Sequence, residues 1–227
     1  MDNLLLLHGA IGAKSQFAEI EKSLANNFTV NSINFSGHGG KDIPSEPFSI
    51  ELFANDVLNW LDDNKISRIN IFGYSMGGYV GLYLAKNNPE KIGKVFTLAT
   101  KFKWSVEISS REIKMLDSSK IKEKVPKFAG ELKNRHGGDW EIVLEKTRDM
   151  MINLGKENTL TIDDYSLIEN EVLVGIGDRD KMVTIEETGD VYSRLKNGRL
   201  LVLPNTPHPL EQVSVERLVY ELKSFFS

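Results

Sequence analysis

The chain contains no cysteine, which excludes a disulfide framework, a thiol nucleophile and any cysteine-ligated metal site. Low-complexity tracts and internal repeats are missing too, and that argues against a disordered tail or a solenoid. No apolar run approaches the ~18 residues of a transmembrane helix. Leu4 to Leu7 is far too short for one, and Met1-Asp2-Asn3 is the wrong flank for a signal peptide. The expectation is a cytoplasmic protein with no membrane partner. No cluster of Lys and Arg accompanies the mild net charge of −4, so nucleic acid is not an expected partner either. What remains is an ordinary soluble composition, 41% hydrophobic and 26% charged, in 227 residues: enough for one α/β core plus a modest insertion.

The chain is organised around Ile69-Asn70-Ile71-Phe72-Gly73-Tyr74-Ser75-Met76-Gly77-Gly78. Arg68 to Phe72 is rich in β-branched and aromatic residues, whereas Tyr79 to Lys86 places apolar side chains at helical spacing, so the period changes across Gly73 to Gly77. A G-x-S-x-G at such a change has a mechanical meaning. The serine takes a strained conformation that lifts its Oγ above the sheet, and the glycines let strand and helix crowd in beside it. The helix that follows points free N–H groups at the same spot, with that of Met76 best placed for a developing oxyanion.

Around this element, strands are expected at Asn3 to Leu7, Phe28 to Phe35, Lys94 to Ala99, Val172 to Ile176 and Arg199 to Leu203. Helices are expected at about Lys14 to Asn26, after Ser49, at Thr184 to Leu195 and at Leu210 to Phe226. Six strands alternating with helices imply a doubly wound, mostly parallel sheet by the right-handed crossover rule. From about Thr100 to Asn170 strands vanish and apolar residues recur at helical spacing. This reads as a helical insertion over 101–170, dividing a core of 1–100 and 171–227. Ser109-Ser110-Arg111-Glu112 reads as a capping box, Pro126 as a helix start or kink, and Gly137-Gly138-Asp139 as a stop followed by a cap. The insertion's Phe102, Trp104, Met115, Phe128, Trp140, Met150 and Met151 could wall an apolar pocket, although most should form its own small core.

A serine hydroxyl needs a base, and the base an orienting acid. Of four histidines, His136 lies in the insertion, and His8 and His38 sit beside glycines in loops where a structural or pocket-shaping task is expected. His208 follows the last strand between two prolines that fix its loop. The loop after the fifth strand, Gly177-Asp178-Arg179-Asp180, supplies the acid. Distance from the buried run favours Asp180, with Asp178 as a turn residue accepting N–H bonds from its own loop. The order Ser75, Asp180, His208 follows.

Taken together, these motifs resemble the α/β-hydrolase superfamily, in particular its small helical-capped esterases and thioesterases, over nearly the whole chain from what would be the family's third strand. The resemblance makes His8-Gly9 the oxyanion loop, with the N–H of Ala10 as second donor beside Met76. It makes Ser36-Gly37-His38-Gly39 a structural turn, and the second aspartate of Gly177-Asp178-Arg179-Asp180 the triad acid. It implies a hydrolase of a carboxylic ester or thioester, acting through an acyl-enzyme without cofactor or metal. C–C hydrolases and lyases use the same triad and are the enzymatic alternative. A ligand-binding protein that keeps the fold without catalysis is the non-enzymatic one.

Overall fold

Leu4 to Leu7 carry no polar residue between them because the strand they form is covered on both sides. In the computed structural model, which describes residues 1–227, Leu4 and Leu6 join one apolar cluster and Leu5 and Leu7 another. Alternate side chains of one strand therefore feed two cores, as a parallel strand between helical layers requires.

In chain order, β1 (Asn3–Leu7), α1 (Ala18–Leu24), β2 (Thr29–Ile33), α2 (Ile50–Asp63), β3 (Ile69–Tyr74), α3 (Met76–Asn87) and β4 (Ile92–Leu98) come first. Four helices follow: α4 (Val106–Glu112), α5 (Ser118–Lys124), α6 (Pro126–His136) and α7 (Trp140–Lys156). Then β5 (Val172–Gly177), α8 (Ile185–Arg194), β6 (Gly198–Leu203) and α9 (Val215–Phe226) close the chain. The sheet has six strands in the order β2-β1-β3-β4-β5-β6. Every pairing is parallel, so the expected mostly parallel sheet is wholly so. Residues of α1 and α9 pack on one face; those of α2, α3 and α8 pack on the other. The winding reverses between β1 and β3, and the crevice beyond their carboxyl ends is where doubly wound sheets take ligands.

Local sequence explains most element ends. Ser49 Oγ accepts the Leu52 N–H at 3.1 Å and starts α2. Pro126 opens α6 at its first turn, and Gly137, with φ of 72°, ends it. One expectation is corrected: the Ser109–Glu112 run is no capping box. It lies inside α4, which is capped by Ser105 Oγ accepting from Ile108 N–H at 3.1 Å. The reciprocal box falls at the start of α8, between Thr184 and Glu187. Spacing alone could not separate these, because a serine in mid-helix can turn its hydroxyl back to the preceding turn, as Ser109 does to Val106.

The helices between β4 and β5 have a cluster of their own, Leu116, Ile121, Leu132, Trp140 and Leu144. They also share the main core, since Val143, Met150 and Leu154 of α7 belong to it. Ile11, in the loop after β1, packs against both clusters.

Candidate active site

Ser75 stands at the exit of β3 with φ of 50° and ψ of −116°, a left-handed conformation that costs a non-glycine residue roughly 1–3 kcal/mol. The surroundings impose it. Ser75 N–H donates to the Leu98 carbonyl at 2.8 Å, and the Thr100 hydroxyl donates to the Ser75 carbonyl at 2.9 Å. A β-carbon on Gly77 would overlap the Leu7 carbonyl, and one on Gly73 the Gly77 carbonyl. Both glycines are thus needed for α3 to start so close to β1 and β3. Met76 is the first residue of α3, so its N–H has no intrahelical partner.

The histidine and acid loops are tied together at the ends of β5 and β6. His208 Nδ1–H donates to Asp180 Oδ2 at 2.7 Å, which leaves Nε2 free to take a proton. The Asp180 side chain is fully buried, and its other oxygen accepts the N–H groups of Met182 and Val183 at 2.8 and 2.9 Å. The carboxylate therefore cannot rotate away. Asp178 holds the histidine loop from outside, its Oδ1 accepting the Thr206 N–H at 3.2 Å. This corrects the expectation that Asp178 would bond within its own loop: β5 and β6 are neighbours, so the nearest free donors lie on the loop opposite. Tyr74, a residue of the G-x-S-x-G motif that sequence reasoning passed over, donates its hydroxyl to the His208 carbonyl at 2.8 Å.

Across the crevice, Gly9 to Gly12 form a turn closed by Gly12 N–H to the Gly9 carbonyl at 3.0 Å, with Ile11 at φ of 52°. Behind it the other three histidines come together. His8 takes the Phe35 N–H on Nε2 at 3.2 Å. The His38 ring centroid lies 5.1 Å from that of His8 and 5.7 Å from that of His136. His136, at the end of α6, uses both ring nitrogens: Nδ1 accepts the Gly39 N–H at 3.1 Å, and Nε2–H donates to the Ile11 carbonyl at 2.8 Å. Burial lowers the pKa of all three, that of His38 from 6.5 to about 3, and their mutual repulsion, with Arg135 beside His8 and His136, adds to it.

A proton that the unfolded chain accepts near pH 6.5 is thus refused by the fold, so stability should be full above that pH and fall on acidification below it. The urea midpoint should drop steadily between pH 6.5 and about 4.5, before the carboxylates titrate. A midpoint constant across that window would contradict the neutral assignment.

Ala10, Ser75, Met76 and His208 line one inner cavity of about 40 Å³, with Asp180 directly behind His208. Its far wall is apolar, formed by Ile50, Tyr79, Trp104 and Leu154 together with four methionines, Met76, Met150, Met151 and Met182. Lys101 and Glu112 also reach it. Their charges are matched there, Lys101 Nζ donating to the Met182 carbonyl at 2.7 Å and lying 3.6 Å from Glu187 and 4.0 Å from Glu112. A second, open cleft of about 840 Å³ also meets Ser75 and His208, and runs out past Pro209, Glu211 and Gln212 on one side and Met115, Phe128 and Arg135 on the other. Of the seven apolar residues singled out between 101 and 170, only Phe102 and Trp140 line neither cavity. Lys101, Glu112, Arg135 and His136 were not anticipated at this site. Charged residues at helical spacing read as solvated faces until tertiary contacts bury them.

A wholly parallel doubly wound sheet with a serine on a strained strand-to-helix turn, at the point where the winding reverses, defines a recognisable class. The chain belongs to the α/β hydrolase fold family, whose profile matches residues 2–118. Similar chains include an uncharacterised protein of Mycobacterium bovis, 29% identical over 96 residues, 42% of this chain and 28% of the relative. A pimeloyl-[acyl-carrier protein] methyl ester esterase of Neisseria meningitidis is 34% identical over 88 residues, 38% of this chain and 32% of the relative. The alignments thus span about a third or less of these curated relatives' length. An enol-lactonase from Burkholderia xenovorans superposes with a TM-score of 0.80 at 20% identity, over 99% of this chain and 90% of that one. A 2-hydroxy-6-oxo-6-phenylhexa-2,4-dienoate hydrolase from Rhodococcus does so with 0.83 at 19% identity, over 99% and 90%. At such identities the superpositions speak for the fold alone. No helix is long and apolar enough to cross a membrane.

Proposed function

We propose that the protein is a serine hydrolase that cleaves a carboxylic ester through an acyl-enzyme on Ser75, with residues 101–170 as a cap over the crevice. The observation that carries this reading is the His208–Asp180 pair, fixed at 2.7 Å and opening onto the same 40 Å³ cavity as the strained serine. Ser75 Oγ attacks the carbonyl carbon while its proton passes to His208 Nε2. The N–H groups of Ala10 and Met76 hold the oxyanion. The C–O bond to the leaving group then breaks, His208 returns the proton to the departing oxygen, and water repeats the sequence to free the acid.

The two cavities sort the substrate. The leaving group must end beside His208, and the open cleft is the one bounded by the residues that follow it, Pro209, Glu211 and Gln212. The acyl chain then enters the inner cavity, whose own wall begins at Met76 and Tyr79 of the helix behind the nucleophile. Some 40 Å³ accepts roughly three water-sized groups, a short acyl chain. With Glu112 matched by Lys101 and Arg111, the cleft carries Glu131 and Glu211 against Arg135. That balance favours a neutral or cationic alcohol over a polyanionic thiol such as coenzyme A.

A panel in which acyl length and leaving group vary independently tests this. Acetyl to butyryl esters of neutral alcohols should turn over fastest, with kcat/KM declining stepwise towards octanoyl because methionine walls yield gradually. Preference for octanoyl, or for acetyl-coenzyme A over a neutral acetate ester, would overturn the sorting. Labelling of Ser75 by a fluorophosphonate without turnover of any ester would move the chemistry to the C–C hydrolase branch. Absence of labelling would remove Ser75 as nucleophile.

A further inference from the structure

The turn that carries Ala10 holds itself in an unfavourable shape. Ile11 is β-branched and sits at φ of 52°, a region such residues rarely enter because the branched β-carbon meets the following carbonyl. One hydrogen bond, Gly12 N–H to the Gly9 carbonyl, closes the turn from within. From the core side His8 Nδ1–H donates to the Gly9 carbonyl at 2.8 Å, while the Ile11 end of the turn is held from the cap. The Ile11 carbonyl accepts Arg135 Nη1–H at 3.0 Å and His136 Nε2–H at 2.8 Å, both from the end of α6. The Ile11 side chain is wedged between the main core and the cap's own cluster. His136 is anchored in turn by Gly39 N–H on its other nitrogen, and Arg135 by Glu211, 3.3 Å away on the histidine loop. Two neighbouring cap residues thus bridge the loops after β1, β2 and β6.

We infer that Arg135 and His136 are positioning residues that assemble the oxyanion hole: docking of α6 on the Ile11 carbonyl holds the Gly9–Gly12 turn in the strained form that presents the Ala10 N–H. The inference rests on the serine-hydrolase reading for its kinetic consequences and on hydrogen bonding alone for its structural ones. An undocked cap leaves the turn free to relax into an ordinary conformation, and the Ala10 donor then turns away from the oxyanion. Catalytic competence is in this way made conditional on the cap being seated. The residue that reports seating is a carbonyl acceptor two peptide units from the donor it controls.

His136→Phe separates this role from substrate binding, since the residue is buried and lines neither cavity. Removing one oxyanion donor outright costs about 10²–10³ in kcat, so its misplacement should lower kcat about 30-fold. KM should stay within about twofold, and the affinity of a boronic-acid transition-state analogue should fall in parallel with kcat. Hydrogen exchange at the Gly12 amide should quicken about tenfold as the turn loosens. His136→Gln, which keeps one donor and one acceptor, should recover part of both losses. If His136→Phe does not fold, Arg135→Met is read by the same kcat and Gly12 exchange. Unchanged kcat and unchanged Gly12 exchange would overturn the inference, as would a rise in KM with kcat intact. Should the wild-type protein neither hydrolyse esters nor react with a fluorophosphonate, the hydrolase reading fails, and Gly12 exchange still decides whether α6 clamps the turn.

Discussion

Replacing Ser75 by alanine is expected to reduce ester hydrolysis by about 10⁴-fold or more, since on the proposed mechanism it removes the nucleophile and with it the covalent route. The fold should be almost indifferent. The hydroxyl faces a cavity, the bonds that hold this residue run through its backbone N–H and carbonyl, and alanine meets the same backbone strain as serine. The melting temperature should therefore shift by no more than about 2 °C. Retention of more than a few per cent of the wild-type rate, after contaminating esterase is excluded by active-site titration, would show that another group attacks.

Nearly as large an effect is expected of Asp180→Asn, and it should contrast sharply with Asp178→Asn. Asp180 spends one oxygen on the N–H groups of Met182 and Val183 and the other on His208 Nδ1–H. An asparagine keeps one oxygen, and the two backbone donors claim it. Its NH₂ then faces His208 Nδ1, which must accept, so the ring proton moves to Nε2 and the histidine can no longer serve as base. Turnover should fall by about 10³–10⁴. In Asp178→Asn the amide oxygen can still accept the Thr206 N–H, so turnover should stay within about threefold. The opposite ranking would make Asp178 the orienting acid and leave the observed pairing with His208 incidental.

How much of this was legible beforehand follows from how local each signal is. The G-x-S-x-G turn is a continuous stretch whose change of period can be read without knowing the fold, and its strain appears where the pattern places it. The order of serine, acid and histidine loops is likewise written along the chain, and His208 stood out because two prolines fix its place. Asp178 was harder to interpret. Its partner is Thr206, and only the pairing of β5 with β6 makes those loops neighbours. The histidine cluster was the least accessible. His8 and His38 come from two separate loops and His136 from the end of α6, and nothing in their spacing announces that α6 folds back over the loops after β1 and β2. Arg135 and Glu112 were hidden by the same cause, because a charge that ends up against a carbonyl or a buried lysine looks in sequence like any solvated helix residue.

The methionines give the site a chemical exposure that the rest of the molecule lacks. Five of the six line the inner cavity or the cleft, Met1 being the exception. In a chain without cysteine these thioethers are the sulfur available to an oxidant, and conversion to sulfoxide turns an adaptable apolar wall polar and stiffer in its preferences. The β-strands carry no sulfur at all, but Met76 and Met150 are buried in the main core that packs on the sheet, whereas Met115 stands exposed in the cleft. Peroxide should therefore reach the cleft first at Met115, and oxidation of the buried thioethers behind the nucleophile would cost core packing as well as pocket shape.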